Sequence, residues 1–383
     1  MCYNAGKSRL DAVTHARSRS VEERLRIAIA GTGFGEKYAT GLKATPGVEL
    51  AGVFSRRPER AADLAERFGI PFSTHRFGDL LEIPYLDAVA VVTPNSTHAE
   101  LVRAAIQARK HVICDKPLAL TAAEAVELYE LAESARVKHI TFVPYRFSPA
   151  SVVMKKELEE QRVGRVVGVR ASWGVDLREE PLRWRFQRKL SGPGVAADLG
   201  AHVLDLLTWW LGPVRRVLGR CQTVVATRPA EIGGRRRKVD VPDECWSLVE
   251  FARAGVGCVT LSWNVSSNQR VEIEGDRGRL VYESPSLLQW LDGRGPFEPS
   301  VTFTRADGLG GTTRLSLDGG ESFGRQEDAL AKMFGEIAGY LRTGERPQTV
   351  ASFYEGAEVL RVIDALVDSS ERGQWVKLDS TRY

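Results

Sequence analysis

The chain has 383 residues, of which 43% are hydrophobic and 27% are charged, so it can form a sizeable core and, at roughly 150 residues per domain, two domains. Its net charge of +4, from 53 basic and 49 acidic residues, is too small to indicate a nucleic-acid partner. No stretch approaches the ~18 uninterrupted apolar residues of a membrane span, so none is predicted.

Residues 1–24 lack the apolar core of a signal peptide, and we expect a flexible tail there. The stretch Leu25–Glu36 then passes from an apolar strand through Gly31, Gly33 and Gly35 into a helical pattern. Such a turn lets backbone approach a pyrophosphate, and the helix dipole favours the anion. Turns of this kind also occur where only close packing is needed.

Strands and helices alternate from residue 25 to residue 146. The further predicted strands are Val48–Phe54, Ile70–Ser73, Leu86–Thr93, His111–Asp115 and Lys138–Pro144, and the predicted helices are Lys37–Ala44, Glu59–Phe68, Asp79–Leu81, Thr97–Arg109 and Thr121–Arg136. Thr121 with Glu124 three residues later is the signature of a capping box. The alternation predicts a doubly wound parallel sheet and a dinucleotide-binding domain over residues 25–146.

The pattern changes after residue 146. The predicted elements are a helix over Ser151–Glu160, a strand over Val163–Trp173, an amphipathic helix containing Gly200–Leu211, strands over Ser247–Phe251 and Gly257–Asn264, a hairpin over Arg270–Glu283, and helices over Gln326–Arg342 and Phe353–Asp368. Consecutive strands joined by short turns predict an α+β domain over residues 147–383, with a large, mostly antiparallel open sheet. The basic run Arg235–Lys238 is expected to be a solvated loop, with phosphate binding as the less favoured alternative.

The cysteines are odd in number, widely spaced and without a CxxC pair. They are Cys2, Cys114, Cys221, Cys245 and Cys258. The pattern indicates neither a disulfide framework nor a zinc site, and we predict no metal site. A cytoplasmic location is the default expectation for such a chain.

The second predicted strand ends in Ser55, Arg56 and Arg57, without the carboxylate that binds the adenosine ribose in an NAD site. A hydroxyl and arginines would bind a 2′-phosphate, which a carboxylate would repel. This end therefore favours NADP(H) over NAD(H), although the arginines could simply cover the surface. A P-loop is excluded, because the sequence after Gly31 lacks the Gly-Lys-Ser/Thr that it requires.

The fourth predicted strand ends in Thr93, Pro94 and Asn95, followed by His98. Asn95 offers amide groups at the edge of the sheet where ligands bind in such folds. An ordinary helix start explains Asn95 equally well on local grounds. His98 taken alone is more typical of a hydrogen-bonded helix histidine than of a catalytic one.

The fifth predicted strand ends in Cys114, Asp115, Lys116 and Pro117. Lys116 is expected to be extended because a proline follows, and the bond between these two residues is a candidate for the cis isomer. An ammonium held there would face the nicotinamide side of the cleft. The alternative is a lysine that merely covers the sheet edge.

The strongest constellation lies further along, in the segment GVAADLGAHVLD at residues 194–205. Asp198 and His202 are four residues apart, so on one helix they would lie on the same face, within contact. A neighbouring carboxylate would raise the pKa of His202, as suits a general acid or base near neutral pH. Asp205 is a possible supporting partner. A surface ion pair fits poorly with the apolar residues around it.

Four motifs together resemble the Gfo/Idh/MocA (glucose-fructose oxidoreductase / inositol 2-dehydrogenase) family. They are AGTGFG at residues 30–35, VVTPNSTH at 91–98, CDKP at 114–117 and GVAADLGAHVLD at 194–205, and they cover roughly residues 25–210. Two positions depart from the family pattern. Asp115 stands where a Glu is usual, and Gly35 falls one place earlier than the third glycine of the strict fingerprint.

The resemblance implies a Rossmann fold and hydride transfer between NAD(P)(H) and a secondary alcohol or ketone of a sugar, sugar derivative or cyclitol. It implies that His202 exchanges a proton with the substrate oxygen, Lys116 polarises that oxygen, and Asp198 orients and charge-tunes His202. The expected substrate residues are Lys116, Tyr145, Trp173, Trp184, Arg185, Asp198 and His202. The expected cofactor residues are Gly31, Thr32, Gly33, Phe34, Gly35, Ser55, Arg56, Arg57, Thr93, Pro94, Asn95, His98, Asp115 and Lys116. A homodimer or homotetramer, formed through the second domain, is also implied.

Two other functions compete with this one. The same site would serve a redox-neutral enzyme that oxidises a sugar transiently on tightly bound NAD and then reduces it again. A non-catalytic NAD(P)-sensing protein would be expected to lose the catalytic set, whereas Lys116, Asp198 and His202 are all present.

Overall fold

The first half of the chain forms a six-stranded parallel sheet, as the alternating pattern predicts. The computed structural model describes residues 24–231, 234–287, 290, 298–309, 311–317 and 325–378, so nearly all of the expected N-terminal tail lies outside it. The strands are β1 (Leu25–Ala30), β2 (Val48–Phe54), β3 (Ser73–Thr74), β4 (Ala88–Val91), β5 (His111–Asp115) and β6 (His139–Phe142). The helices are α1 (Gly35–Ala44), α2 (Pro58–Phe68), α3 (Phe77–Leu81), α4 (His98–Gln107) and α5 (Ala122–Ala135).

The strand order β3-β2-β1-β4-β5-β6 identifies the doubly wound fold. The order reverses between β1 and β4, and ligands bind outside the carboxyl ends of the strands at such a point. All four residues of β4 are buried, which explains the apolar run in the sequence. The capping box before α5 is confirmed, because the Thr121 side chain accepts a hydrogen bond from the Glu124 amide at 3.2 Å.

The second half forms a nine-stranded mixed sheet, and the predicted fold class is confirmed. Its strands are β7 (Val166–Asp176), β8 (Val214–Gln222), β11 (Glu244–Phe251), β12 (Val256–Ser262), β13 (Asn264–Gly275), β14 (Gly278–Ser284), β15 (Ser300–Arg305), β16 (Thr312–Arg314) and β17 (Val376–Lys377). The order is β16-β15-β14-β13-β7-β12-β11-β8-β17, and only the β7–β12 pair of this order is parallel. In the predicted hairpin, Arg270 lies opposite Glu283.

Two expectations for this half were wrong. Arg236–Lys238 form a strand, β10, which pairs with β9 (Thr227–Pro229), although their side chains are exposed as expected. Cys221 and Cys245 lie opposite one another on β8 and β11 and form a disulfide. Their separation of 24 residues reveals nothing of this, because the register of the two strands brings them together.

The remaining helices cover the sheets and join the two halves of the chain. They are α6 (Pro149–Glu159), α7 (Arg188–Ser191), α8 (Val195–Asp198), α9 (Gly200–Leu211), α10 (Gln326–Thr343) and α11 (Phe353–Arg372). Helix α10 returns to α1, where a Cβ on Gly41 would lie 2.4 Å from the Phe334 ring. Among the described helices, none is long and apolar enough to span a membrane.

A buried ion pair ties the segment after β6 to α9. Arg146 donates to both carboxylate oxygens of Asp205, from Nε at 2.7 Å and from Nη2 at 2.8 Å. Both side chains are at most 2% exposed. Asp205 is therefore a structural partner and does not line the cleft described below.

The replacement Asp205→Asn should lower the free energy of unfolding by about 3 kcal/mol or more, because it leaves the Arg146 charge buried without its partner. Denaturant unfolding followed by circular dichroism measures this change. The matched control is Asp328→Asn, which breaks an exposed pair with Arg325 and should cost less than about 1 kcal/mol. Equal losses in the two variants would contradict the structural role of Asp205.

Candidate active site

A cleft of about 1250 Å³ runs along the carboxyl ends of the parallel strands and reaches the inner face of the nine-stranded sheet. Most of the predicted site residues line it. They are Gly31, Thr32, Gly33, Phe34, Ser55, Arg56, Arg57, Thr93, Pro94, Asn95, Asp115, Lys116, Tyr145, Trp173, Trp184, Arg185, Asp198 and His202. Gly35 and His98, predicted as cofactor residues, are not among the lining residues.

Each of the three glycines in the turn at one end of the cleft meets a different structural requirement. Gly31 has a φ of +117°, and a Cβ there would lie 2.3 Å from the Val92 carbonyl oxygen, so only glycine fits. A Cβ on Gly33 would meet no atom within 4 Å, which leaves this backbone open to a ligand. A Cβ on Gly35 would approach the Ile29 side chain at 3.3 Å, so this glycine sets the packing of α1 on β1.

The backbone of this turn fits a pyrophosphate. The amide N–H groups of Thr32, Gly33 and Phe34 have no acceptor within the described part of the chain. They precede α1, a helix of ten residues whose N-terminus carries a partial positive charge. Free amides at a helix N-terminus form an anion site.

The end of β2 is rich in positive charge. The Ser55 hydroxyl accepts a hydrogen bond from the Arg57 amide at 3.2 Å. Arg56, Arg57 and Arg60 are exposed, and among the described residues no carboxylate lies within ion-pair distance of them. Arg60, which lines the cleft from the first turn of α2, was not predicted from the sequence. Its position in the first turn of the helix that follows Arg56 and Arg57 would have indicated it.

The loops after β4 and β5 are joined by His98, which lies behind the cleft wall and is 1% exposed. Its Nδ1 lies 2.8 Å from the Pro117 carbonyl oxygen, and its Nε2 lies 2.8 Å from the Thr93 carbonyl oxygen. The Lys116–Pro117 bond is cis, as the sequence suggested. Asn95 lines the cleft, but its amide nitrogen already donates to the Ser191 carbonyl at 3.0 Å.

Lys116 reaches across the cleft to Asp198. Its Nζ donates to Asp198 Oδ1 at 2.8 Å and to the Asp198 carbonyl oxygen at 2.9 Å. That carbonyl is free because the helix is interrupted: α8 ends at Asp198, and the His202 amide donates to the Leu199 carbonyl instead. The predicted single helix is thus divided at Leu199 into α8 and α9, but Asp198 and His202 still line the same cleft and their charges interact.

Two further groups hold the Asp198 carboxylate. Trp263 Nε1 donates to Oδ2 at 3.1 Å, and Arg185 Nε lies 3.1 Å from the same oxygen. Burial acts to raise the pKa of Asp198, but the charges of Arg185 and Lys116 outweigh it and hold the pKa below its usual range. The sequence analysis missed Trp263, which lies 65 residues from Asp198 and belongs to no motif.

His202 has the opposite electrostatic state from the one predicted. Burial and the charges of Lys116 and Arg185 lower its pKa well below the ordinary value, although Asp198 opposes them. Its Nδ1 has no hydrogen-bond partner among the described residues. The neutral imidazole is therefore the form present at neutral pH.

Asp115 lies beside Lys116 in the cleft wall. Its Oδ1 accepts a hydrogen bond from the Lys116 amide at 3.0 Å. Burial raises the pKa of Asp115 to about 6, against the opposing charge of Lys116.

Aromatic side chains close the inner end of the cleft. The Tyr145 ring lies 5.0 Å from both the Trp173 and the His202 rings, in edge-to-face geometry. The Tyr145 hydroxyl is already engaged, because it accepts from the Leu287 amide at 2.8 Å. Arg185 lies over the Trp184 ring at 5.5 Å. The ring of Tyr145, rather than its hydroxyl, therefore forms the surface at the inner end of the cleft.

Comparison with known proteins identifies both halves of the chain. A model described as an oxidoreductase family with an NAD-binding Rossmann fold (GFO_IDH_MocA) matches residues 25–142. A model of the GFO/IDH/MocA C-terminal domain matches residues 152–281. The two matches together cover more than half of the chain.

Similar proteins of known activity act on sugars. Levoglucosan dehydrogenase of Pseudarthrobacter phenanthrenivorans is 29% identical, over 92% of this chain and 98% of its own. D-xylose 1-dehydrogenase (NADP(+)) 2 of Haloferax volcanii is 28% identical, over 93% of this chain and 100% of its own. A structure of levoglucosan dehydrogenase in complex with NADH and levoglucosan has a TM-score of 0.82 at 26% identity, covering 94% of this chain and 100% of its own. These relatives do not favour the redox-neutral alternative.

The replacement Gly33→Val should weaken binding of NADH or NADPH, whichever the unaltered protein binds, by about tenfold or more without loss of stability, because the new side chain meets no protein atom but would stand where a pyrophosphate approaches. Fluorescence titration with both dinucleotides and thermal unfolding measure the two effects. Gly335→Val is the matched control, since that glycine also has free space but lies on α10, away from the cleft. Unchanged dinucleotide affinity in Gly33→Val would contradict the assignment.

Proposed function

The chain belongs to the Gfo/Idh/MocA family of NAD(P)-dependent oxidoreductases acting on CH–OH groups, and from this premise we propose that it transfers hydride between NADP(H) and a secondary alcohol or ketone of a sugar, sugar derivative or cyclitol. One observation carries the proposal. The Lys116 ammonium and the His202 ring line the same inner end of a cleft whose other end is the open glycine turn. The nicotinamide, when bound, supplies the hydride chemistry.

Lys116 binds and polarises the substrate oxygen. An ammonium group has three N–H donors, and Asp198 takes two of them through its carboxylate and its carbonyl oxygen. The third remains for the oxygen of the reacting hydroxyl or carbonyl. Because Asp198 also holds the ammonium in place, little reorganisation is needed when negative charge develops on that oxygen.

His202 accepts the proton of the substrate hydroxyl during oxidation and returns it during reduction. Its lowered pKa keeps the imidazole neutral near pH 7, which is the form that a general base needs. Asp198 does not serve as its orienting partner, since both carboxylate oxygens face other donors. The edge contact with the Tyr145 ring instead constrains the imidazole.

The charges at the end of β2 support NADP(H) as the favoured cofactor. The end of β2 and the start of α2 offer a hydroxyl and three guanidinium groups, with no carboxylate of the described residues within ion-pair distance of them: Ser55, Arg56, Arg57 and Arg60. The xylose dehydrogenase relative is named for NADP(+), whereas the levoglucosan dehydrogenase structure holds NADH. NAD(H) is therefore the alternative cofactor.

The same proposal extends to domain roles and assembly. Residues 25–146 would hold the cofactor, and residues 147–383 would supply most of the sugar site and the contact between subunits of a homodimer or homotetramer. Apolar side chains exposed on the nine-stranded sheet support such a contact: Trp246, Leu248 and Val256 are 56%, 41% and 44% exposed.

Separate Lys116→Met and His202→Gln variants should each reduce kcat by about 100-fold or more, because each removes a group that acts on the reacting oxygen. The assay follows NADP+ reduction by its absorbance, using whichever of levoglucosan, D-xylose and myo-inositol the unaltered protein oxidises best. Lys110→Met is the control, since that ammonium donates to the Leu86 carbonyl away from the cleft. Near-normal rates in both variants would refute the catalytic assignment.

The pH profile of the same reaction tests the role of His202 as the base. Protonation of His202 abolishes its function as a base, so oxidation should decline only as the pH falls below the ordinary range of a histidine pKa. This decline should be absent from the residual activity of His202→Gln. It should persist in Asp115→Asn, because that variant removes a cleft carboxyl whose pKa of about 6 would otherwise add a pH dependence of its own.

The double replacement of Arg56 and Arg57 by Ala should raise KM for NADP+ by about 10- to 100-fold, because hydrogen bonds to a charged phosphate are lost. KM for NAD+, which has no 2′-phosphate, should change little. Arg76→Ala is the matched control, because Arg76 is an exposed arginine paired with Asp79 and does not line the cleft. An unchanged ratio of the two KM values would contradict the preference for NADP(H).

A further inference from the structure

Arg228, on β9, is an arginine in an unusual position. Its side chain is 0% exposed, although among the described residues no carboxylate lies within ion-pair distance of it. Its Nε and Nη2 atoms have no hydrogen-bond partner in the described part of the chain. A charge that is buried without a carboxylate partner is costly, and its surroundings must therefore supply the stabilisation.

The surroundings of Arg228 are the loop that follows β7. Its Nη1 donates to the carbonyl oxygens of Leu177, of Arg178 at 3.2 Å and of Glu180 at 3.1 Å. Its guanidinium carbon lies 3.9 Å from the centre of the Phe186 ring, a cation–π contact. A single side chain thus holds both the beginning and the end of the loop 177–186.

This loop carries part of the substrate end of the cleft. Leu177, Arg183, Trp184 and Arg185 all line the cleft, and Arg185 lies against the Asp198 carboxylate. Phe186, which Arg228 contacts, also packs against a residue that binds Asp198. The Phe186 ring meets the Trp263 ring edge-on at 5.3 Å, and the Trp263 indole donates to Asp198.

We propose that Arg228 is a positioning residue for the sugar end of the site: by holding the loop 177–186 it places Arg185, and through Phe186 and Trp263 it steadies Asp198. It touches neither the sugar nor the cofactor. Carbonyl dipoles and an aromatic face replace a carboxylate as its partners, and a planar guanidinium suits both at once. The glycine turn and the end of β2 do not depend on it. The sugar assignment of this end rests on the proposed function above.

The variants Arg228→Met and Arg228→Lys test this role. We expect Arg228→Met to lower kcat/KM for the sugar by about 10- to 100-fold, the effect of losing one or two hydrogen bonds from a charged group, with NADPH affinity unchanged within about twofold. Guanidinium at millimolar concentration should restore part of the activity, whereas equal sodium chloride should not. Arg228→Lys, which keeps the charge but not the planar contact, should lie between Arg228→Met and the unaltered protein.

Arg236→Met is the matched control. Arg236 lies opposite Pro229 in the same hairpin and donates to the Thr227 hydroxyl at 2.9 Å, but it is exposed and, in the described part of the chain, forms no hydrogen bond or ion pair with the loop. This variant should leave kcat/KM for the sugar unchanged. A loss in Arg236→Met as large as that in Arg228→Met would show that the hairpin alone matters and would overturn the proposal.

Limited proteolysis gives a readout that needs no substrate. Release of the loop should speed tryptic cleavage after Arg178 or Arg183 in Arg228→Met, and guanidinium should slow it again. If Arg228→Met fails to fold, Phe186→Leu, which removes only the aromatic face, should show the same faster cleavage. Unchanged cleavage with unchanged sugar kinetics, or a parallel loss of NADPH affinity, would overturn the proposal. Failure of the unaltered protein to oxidise or reduce any sugar, sugar derivative or cyclitol would refute the proposed function and leave the proteolysis test decisive for Arg228.

Discussion

The ion pair between Lys116 and Asp198 is the contact on which the active site depends. Lys116 directly follows β5 of the parallel sheet, and Asp198 ends the short helix α8, 82 residues later. The bond therefore joins the parallel-sheet side of the cleft to the side formed by the second half of the chain. It is also buried enough to be strong, since the two side chains are 15% and 16% exposed. The interrupted helix contributes as much as the carboxylate, because it frees a second acceptor for the same ammonium.

The charges around this pair explain why the pKa of His202 is lowered, whereas the sequence predicted a raised pKa. Lys116 and Arg185 place two positive charges near one carboxylate, so the local field is positive even after Asp198 is counted. A positive field and burial both disfavour imidazolium. In the proposed reaction the same field would suit an alkoxide-like oxygen, so the arrangement that keeps His202 neutral would also stabilise the charge that develops on the substrate.

Long-range contacts hold these groups in place. The Arg146–Asp205 pair anchors α9, the helix that carries His202, and the contacts of Arg228 continue through Phe186 and Trp263 to Asp198. Helix α10 packs back onto α1, so the end of the chain supports the helix that follows the glycine turn. A helix near the end of the chain thus supports the part of the cleft that the glycine turn forms.

The sequence by itself determined the doubly wound sheet, the glycine turn, the strand ends and the hairpin Arg270–Glu283, because each depends on local patterns of apolar residues, glycines and turns. It also indicated most of the residues that line the cleft, since the carboxyl ends of parallel strands meet at one edge. Only the tertiary structure decided which groups pair. Trp263, Arg228 and the disulfide partner of Cys221 belong to no local motif, and strand register and loop packing bring them into place. The pKa of His202 was beyond sequence reasoning for the same reason, because it depends on burial and on the sum of charges from distant segments rather than on the nearest carboxylate.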